Sequence, residues 1–246
     1  MEACYGATNL QQAVGMITLA PELPGMLECI PKLRSHGIVV SMGHSLATFE
    51  EAIAGLDAGA TMITHLFNAM TPLHHRDIGV FGVLAAPEVV SKPFFGIIAD
   101  GVHLHPSSVN MAWNTHPSGL ILVTDAMRTL GMPDGNYEWT NGERYTKTGP
   151  LLVLDGSDGR LAGTSITLIE CVNNFMAWTN ATVAQALTTV TETPAAMLGL
   201  ENTKGSLDPG ADADLVVLSQ STEDSVTRLE VEQVWKFGVC VSDRAQ

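Results

Sequence analysis

The chain has 246 residues, of which 46% are hydrophobic and 15% charged, and its formal net charge is -14. That is enough apolar material for a sizeable core and too little charge for a disordered chain. The acidic balance excludes a duplex nucleic-acid partner, whose phosphates need clustered Lys and Arg, but leaves room for a small anion met by a few local cations.

The opening segment, MEACYGATNL, has neither the basic start nor the apolar core of a signal peptide. No apolar run reaches the length of a membrane span, so no membrane partner is expected. Cys4, Cys29, Cys171 and Cys240 are far apart and form no CxxC pair, which suits reduced thiols and a cytoplasmic location.

Residues 15–22 read as a buried strand, and residues 25–37 have helical spacing that stops on Gly37. IVVSMGH is the next strand. Thr48-Phe49-Glu50-Glu51 is a capping box that starts a helix through about Ala58. ATMITHLF is a strand, followed by the long loop NAMTPLHHRDIGVFG. Residues 94–101 are a strand, 105–117 a helix between two prolines, and 119–127 a strand. These strands are continuous apolar runs, as parallel strands covered on both faces are. Their even alternation with helices gives a β/α repeat of five strands, ending near Ala20, Gly43, Phe67, Ala99 and Thr124.

Beyond Met127 the pattern turns to β-hairpins, over about 128–160. Residues 164–180 are helical, as are the stretch after Ala181 and the one near 193–200. KGSLDPGADADLVVLS and EVEQVWKFGVCVSD then read as strands of a separate small sheet. The expected organisation is therefore residues 1–200 as a β/α domain with a hairpin insertion, and 201–246 as the small β segment.

In parallel α/β folds the functional side chains gather at the carboxyl ends of the strands. Here those ends carry Glu22, His44, His65, Asp100 and Asp125, with His103 just beyond one of them. Two imidazoles at equivalent ends of adjacent strands, with a carboxylate at a third, have the composition of a divalent metal site open to water. Each residue also has a plainer reading. A lone strand-end histidine is more often a hydrogen-bonded structural residue, Asp125 alone could cap a helix or anchor a loop, and Glu22 reads as a cap for the helix that follows it. His74, His75 and His105 are loop residues, and His36 and His116 lie near helix ends, where they suit the dipole.

GHSLAT, GATMITHLFNAM, GIIADGVHLHP, LVTDAM and KGSLDPGADADLVVL occur in that order. Together they resemble the N-acetylglucosamine-6-phosphate deacetylases of the amidohydrolase superfamily, over essentially the whole chain from about Met16. The resemblance implies an α/β fold: a TIM-type (β/α)8 barrel, here about strands 4–8, with the C-terminal part of a small β-sandwich. It implies a metal-dependent hydrolase that releases acetate and glucosamine 6-phosphate in amino-sugar catabolism. His44 and His65 match the two histidine metal ligands, and Asp125 matches the aspartate acting first as general base and then as general acid. Asn68 and Ala69 match contacts to the sugar phosphate. Arg76 matches an arginine that reaches the phosphate from the neighbouring subunit of a homodimer. Asp100, Gly101, Val102 and His103 match a substrate-binding segment, and Leu161, Ala162 and Gly163 a loop over the substrate. The implied cofactor is one divalent ion, zinc first, with iron, cobalt or manganese also suited to such ligands.

The family's strands 1–3 and its Glu-Gly-Pro metal glutamate have no counterpart in this sequence, which reads as the C-terminal two-thirds of such an enzyme. The alternatives are another amidohydrolase, dihydroorotase-like or adenine-deaminase-like, or a non-catalytic chain that dimerises or binds sugar phosphate.

Overall fold

A computed structural model describes residues 13–224 and 226–244; Cys4 and the MEACYGATNL segment lie outside the described residues. Packing divides the chain into two compact units. The first holds the residues up to Ile97, Met111–Ile121 and Thr188–Asp212; the second holds Ile98–Asn110, Leu122–Leu187 and the residues from Ala213 onward.

The first β/α stretch is built as the apolar runs require. Strands β1 (Met16–Leu19), β2 (Val39–Met42), β3 (Met62–Ile63), β4 (Phe94–Ile98) and β5 (Leu120–Val123) form one sheet in chain order. The registers observed are parallel, with Leu19 opposite Met42, Met42 opposite Ile63, and Ile63 opposite Phe95. Val40, Met42, Ile63, Phe95, Ile97 and Leu120 are fully or almost fully buried. Between the strands run α1 (Met26–Ser35), α2 (Phe49–Asp57), a single helical turn α3 (Gly82–Ala85) and α4 (Pro106–Thr115).

Helix α2 begins where its capping box places it. Glu51 N–H donates to Thr48 Oγ1 at 3.2 Å, and Thr48 N–H donates to Glu51 Oε2 at 2.9 Å. Its Gly55 lets the helix lie close over the sheet, since a Cβ there would come within 2.6 Å of Met42 Sδ. Three hydroxyls tie the first strands together: Thr64 Oγ1 meets Thr18 Oγ1 at 2.8 Å and Ser41 Oγ at 2.5 Å.

The second unit contains an antiparallel meander of β6 (Gly135–Glu138), β7 (Arg144–Thr148), β8 (Leu151–Leu154) and β9 (Leu161–Thr164). Its centre is Tyr145, fully buried, with Tyr137 stacked at 6.0 Å and Trp139 edge-on at 5.7 Å. Helix α5 (Leu168–Thr179) opens on a second capping box, Thr167 with Glu170, and closes on Asn180 in the left-handed conformation. Helices α6 (Val183–Thr188) and α7 (Glu192–Leu198) follow it in the chain. β10 (Leu215–Glu223), β11 (Val226–Lys236) and β12 (Val239–Asp243) form a three-stranded antiparallel sheet. Asn173 of α5 bonds both backbone groups of Leu229 in β11, donating at 3.0 Å and accepting at 2.8 Å.

The α/β class, with a parallel β/α sheet and a small antiparallel sheet, is the one the sequence implies. Several details differ. β1 is half exposed, not buried, because it is the end strand of its sheet. β3 is cut to two residues, because the chain turns into a left-handed backbone at His65. The KGSLDPGADAD stretch is turn, with Gly205 and Gly210 at positive φ, and strand begins only at Leu215.

Candidate active site

At the carboxyl end of β2 the chain reverses through His44, and at the carboxyl end of β3 through His65. Their backbones sit at φ +48° and +24°, and Asp125, just past β5, sits at φ +48°. Left-handed conformations cost a non-glycine residue about 1–2 kcal/mol and gather at functional sites. Phe67 and Ala69 share the conformation, at +76° and +51°, so the segment after His65 is strained at every second residue.

The two imidazoles meet. His44 Nε2 lies 2.9 Å from His65 Nε2, with the rings edge to face and their centroids 4.8 Å apart. His65 is buried and its Nδ1 has no hydrogen-bond partner, while His44 is exposed. Metal–nitrogen bonds of about 2.0–2.1 Å allow nitrogens at this separation to share one ion. The pair therefore fits a divalent cation. Among the described residues, no group of three His, Cys, Asp or Glu side chains converges on one point.

Glu22 does not cap α1, whose N-cap is Gly25 with no side-chain bond. Its carboxylate accepts from Ser45 Oγ and from Leu46 N–H, each at 2.7 Å. Beyond His65, Asn68 donates to the carbonyls of His65 and Leu66, and the neighbouring Ala69 is exposed. Arg76 is exposed in its loop; its backbone N–H donates to His74 Nδ1 at 3.3 Å. The His74 and His75 rings lie 4.2 Å apart, so they pair with each other. His116 does not behave as a charged helix-end residue: burial, with Lys92 adding, holds its pKa below the ordinary value.

In the second unit Asp100 forms the best-satisfied cluster. Its Oδ1 accepts from the backbone N–H of Val102 and of His103, each at 2.9 Å, and its Oδ2 accepts from His103 Nδ1 at 2.6 Å and Thr164 Oγ1 at 2.9 Å. Burial alone would raise the Asp100 pKa, but these four donors outweigh it and hold the carboxyl at about 2. His103 is pushed the other way: the bond to Asp100 raises its pKa against burial, and the charges of Asp100 and Asp125 add to the rise. The pair is thus a carboxylate held on His103 Nδ1, with Nε2 left as the ring's other polar atom. Gly101 turns the chain at φ +74°, which glycine accepts without strain. Val102 stays exposed.

Leu161, Ala162 and Gly163 do not form a loop. They are strand β9, paired with β8 across a register shift at Leu152/Val153. Gly163, at φ +146°, packs where a Cβ would meet Met127 Cγ at 2.7 Å. Thr164, at the end of that strand, and Ser45 both belong to hydrogen-bond networks that sequence reasoning missed. Only their positions next to motif residues could have signalled them.

The cysteines within the described residues, Cys29, Cys171 and Cys240, are free thiols. Burial, with Asp100 and Glu170 nearby, pushes the Cys171 thiol up to about 12.

The amidohydrolase family model matches residues 13–241, and the chain belongs to that family. Members of the family are generally dependent on divalent metals. More narrowly, the chain is 43% identical to the N-acetylglucosamine-6-phosphate deacetylase of Mus musculus, over 95% of this chain and 56% of that protein. It is 40% identical to the enzyme of the same name from Vibrio furnissii, over 93% of this chain and 54% of that protein. A structure of a Mycobacterium smegmatis N-acetyl-D-glucosamine-6-phosphate deacetylase variant, in complex with N-acetyl-D-glucosamine-6-phosphate, superposes with a TM-score of 0.82. It is 31% identical and covers 98% of this chain, which spans 61% of that one. The chain thus spans a little over half the length of the curated relatives it matches.

Proposed function

We propose that this chain carries the metal-binding and acid–base residues of a deacetylase acting on N-acetylglucosamine 6-phosphate, yielding glucosamine 6-phosphate and acetate. The observation that carries the reading is the His44–His65 pair, with Nε2 atoms 2.9 Å apart at successive strand ends, in a chain 43% identical to such a deacetylase.

Each role follows from chemistry the residue already has. His44 and His65 would hold one divalent ion, zinc first, with iron, cobalt or manganese as alternatives. Bound there, the ion supplies Lewis acidity and lowers the pKa of water to about 7. Asp125 takes the proton of the attacking water and returns it to the departing amide nitrogen. His103, whose Nδ1 is held by Asp100 at 2.6 Å and whose pKa that bond raises, turns its second ring nitrogen to a substrate oxygen. The strained segment with Asn68 and Ala69 offers backbone groups to the sugar phosphate, and Arg76 gives it a charge-assisted contact. Gly101, Val102 and the β9 residues Leu161, Ala162 and Gly163 complete the substrate-facing set. A homodimer in the cytoplasm is part of this reading. Among the described residues no helix is long and apolar enough to cross a membrane.

The test is acetate release from N-acetylglucosamine 6-phosphate by the purified, zinc-loaded chain, with the galacto epimer and unphosphorylated N-acetylglucosamine as controls. Release selective for the 6-phosphate and abolished by a chelator supports the reading; turnover of dihydroorotate or adenine in its place overturns it.

A further inference from the structure

Glu22 stands outside every role assigned so far, yet its carboxylate has the most specific geometry near the imidazole pair. One oxygen accepts from Ser45 Oγ and the other from Leu46 N–H, both at 2.7 Å. Ser45 is fully buried, and its hydroxyl oxygen also accepts from Ala47 N–H at 3.1 Å. A carboxylate from the loop after β1 thus grips the two residues that follow His44. His44 needs such a grip: its φ of +48° is unfavourable for a residue with a Cβ. On its other side, Gly43 N–H is held by Leu19 O at 3.0 Å. The strained residue is fixed from both sides, and both holds come from the β1 strand and the loop just after it.

We infer that Glu22 is a positioning residue for the metal centre. By clamping Ser45 and Leu46 it holds His44 in the left-handed turn that aims Nε2 at His65. Each of its oxygens holds one donor of the clamp, and among the described residues no third His, Cys, Asp or Glu joins the imidazole pair, so its part is to hold the turn. A relaxed turn would let His44 rotate away, and metal affinity would fall because ligand geometry sets it. This inference rests on the reading of His44 and His65 as metal ligands.

The experiment measures Zn²⁺ affinity by competition with a chromophoric chelator, for the whole chain and for the variants His44→Ala, Glu22→Ala, Glu22→Gln and Ser45→Ala. Amide exchange and the amide NMR spectrum are recorded on the metal-free protein. In the wild type, the Leu46 amide should exchange slowly and resonate far downfield, although Leu46 itself is 74% exposed. Glu22→Ala should weaken zinc by about 10–100-fold, the usual cost of losing a group that supports a ligand. Glu22→Gln, which keeps one acceptor oxygen and can hold only one of the two donors as before, should fall between. Spectral changes should be confined to residues near 19–23 and 43–48. A purely structural carboxylate would lower the melting temperature and leave zinc affinity unchanged in the molecules still folded. His44-dependent zinc binding in the wild type that Glu22→Ala matches within twofold overturns the positioning role alone. A fast-exchanging Leu46 amide in the wild type overturns the clamp without any variant. Zinc binding that His44→Ala leaves unchanged overturns the metal reading, and the inference with it.

Discussion

A left-handed backbone is an expense for histidine and aspartate alike, and His44, His65 and Asp125 all adopt it. If Asp125 is the proton carrier, Asp125→Asn should leave zinc content intact and lower kcat by about 10²–10⁴-fold, because an amide cannot take the water's proton. Steady-state kinetics with metal analysis of the same sample checks this. The Asp100–His103 pair makes a prediction about pH. Asp100 has its pKa lowered from 3.8 to about 2, so its contribution to stability is present above 3.8 and fades as the pH falls toward 2. His103 has its pKa raised above 6.5, so its contribution is complete below 6.5 and fades as the pH climbs through the raised value. The melting-temperature gap between wild type and Asp100→Asn should therefore be widest between about pH 4 and 6.5 and shrink on both sides. Arg76→Ala should raise KM for the 6-phosphate far more than for the unphosphorylated sugar, since only the former carries the dianion that rewards a guanidinium.

At the scale of elements, two helices start on the same device and only one was legible beforehand. Thr48-Phe49-Glu50-Glu51 stands alone before an apolar helical run, whereas Thr167 follows Thr164 and Ser165 in a run with several polar starts. Tertiary contacts chose among them: Ser165 N–H pairs with Pro150 O and Met127 N–H with Thr164 O, which uses up the earlier residues. Thr167→Ala should cost about 0.5–2 kcal/mol, read by urea unfolding. Gly43→Ala should be costlier than its size suggests. The new Cβ would meet Thr64 Cβ at 2.7 Å and disturb the hydroxyl contacts of Thr18, Ser41 and Thr64, a crowding worth about 1–3 kcal/mol. The family resemblance implies a loop at Leu161, Ala162 and Gly163, whereas the structure makes them part of strand β9. Pairing with β8 fixes them there, since neighbouring strands and not the isolated residues decide a strand of small side chains.

For the whole molecule, metal and stability are linked. An ion that binds only the folded chain adds about 2.7 kcal/mol at a concentration one hundred times its Kd. Zinc should therefore raise the melting temperature of the chain, a chelator should reverse the rise, and His65→Ala should abolish it. The imidazole pair belongs to the first compact unit and the Asp100, His103 and Asp125 groups to the second, so hydrogen exchange with and without zinc should show where the added protection falls.

Periodicity and punctuation in the sequence determined the β/α repeat, the helix starting at Thr48 and the strand ends at which His44, His65, Asp100 and Asp125 fall. Those signals are local: apolar runs, capping residues and glycines act within a few positions. Folding alone decided which strand ends meet and what each carboxylate does. Glu22 reads as a helix cap and instead grips the turn after His44, and Asp100 reads as one more strand-end acid and instead accepts four hydrogen bonds, one of them from Thr164. A buried carboxylate must find its donors wherever the fold delivers them, and donors twenty or sixty residues away leave no spacing in the sequence to read.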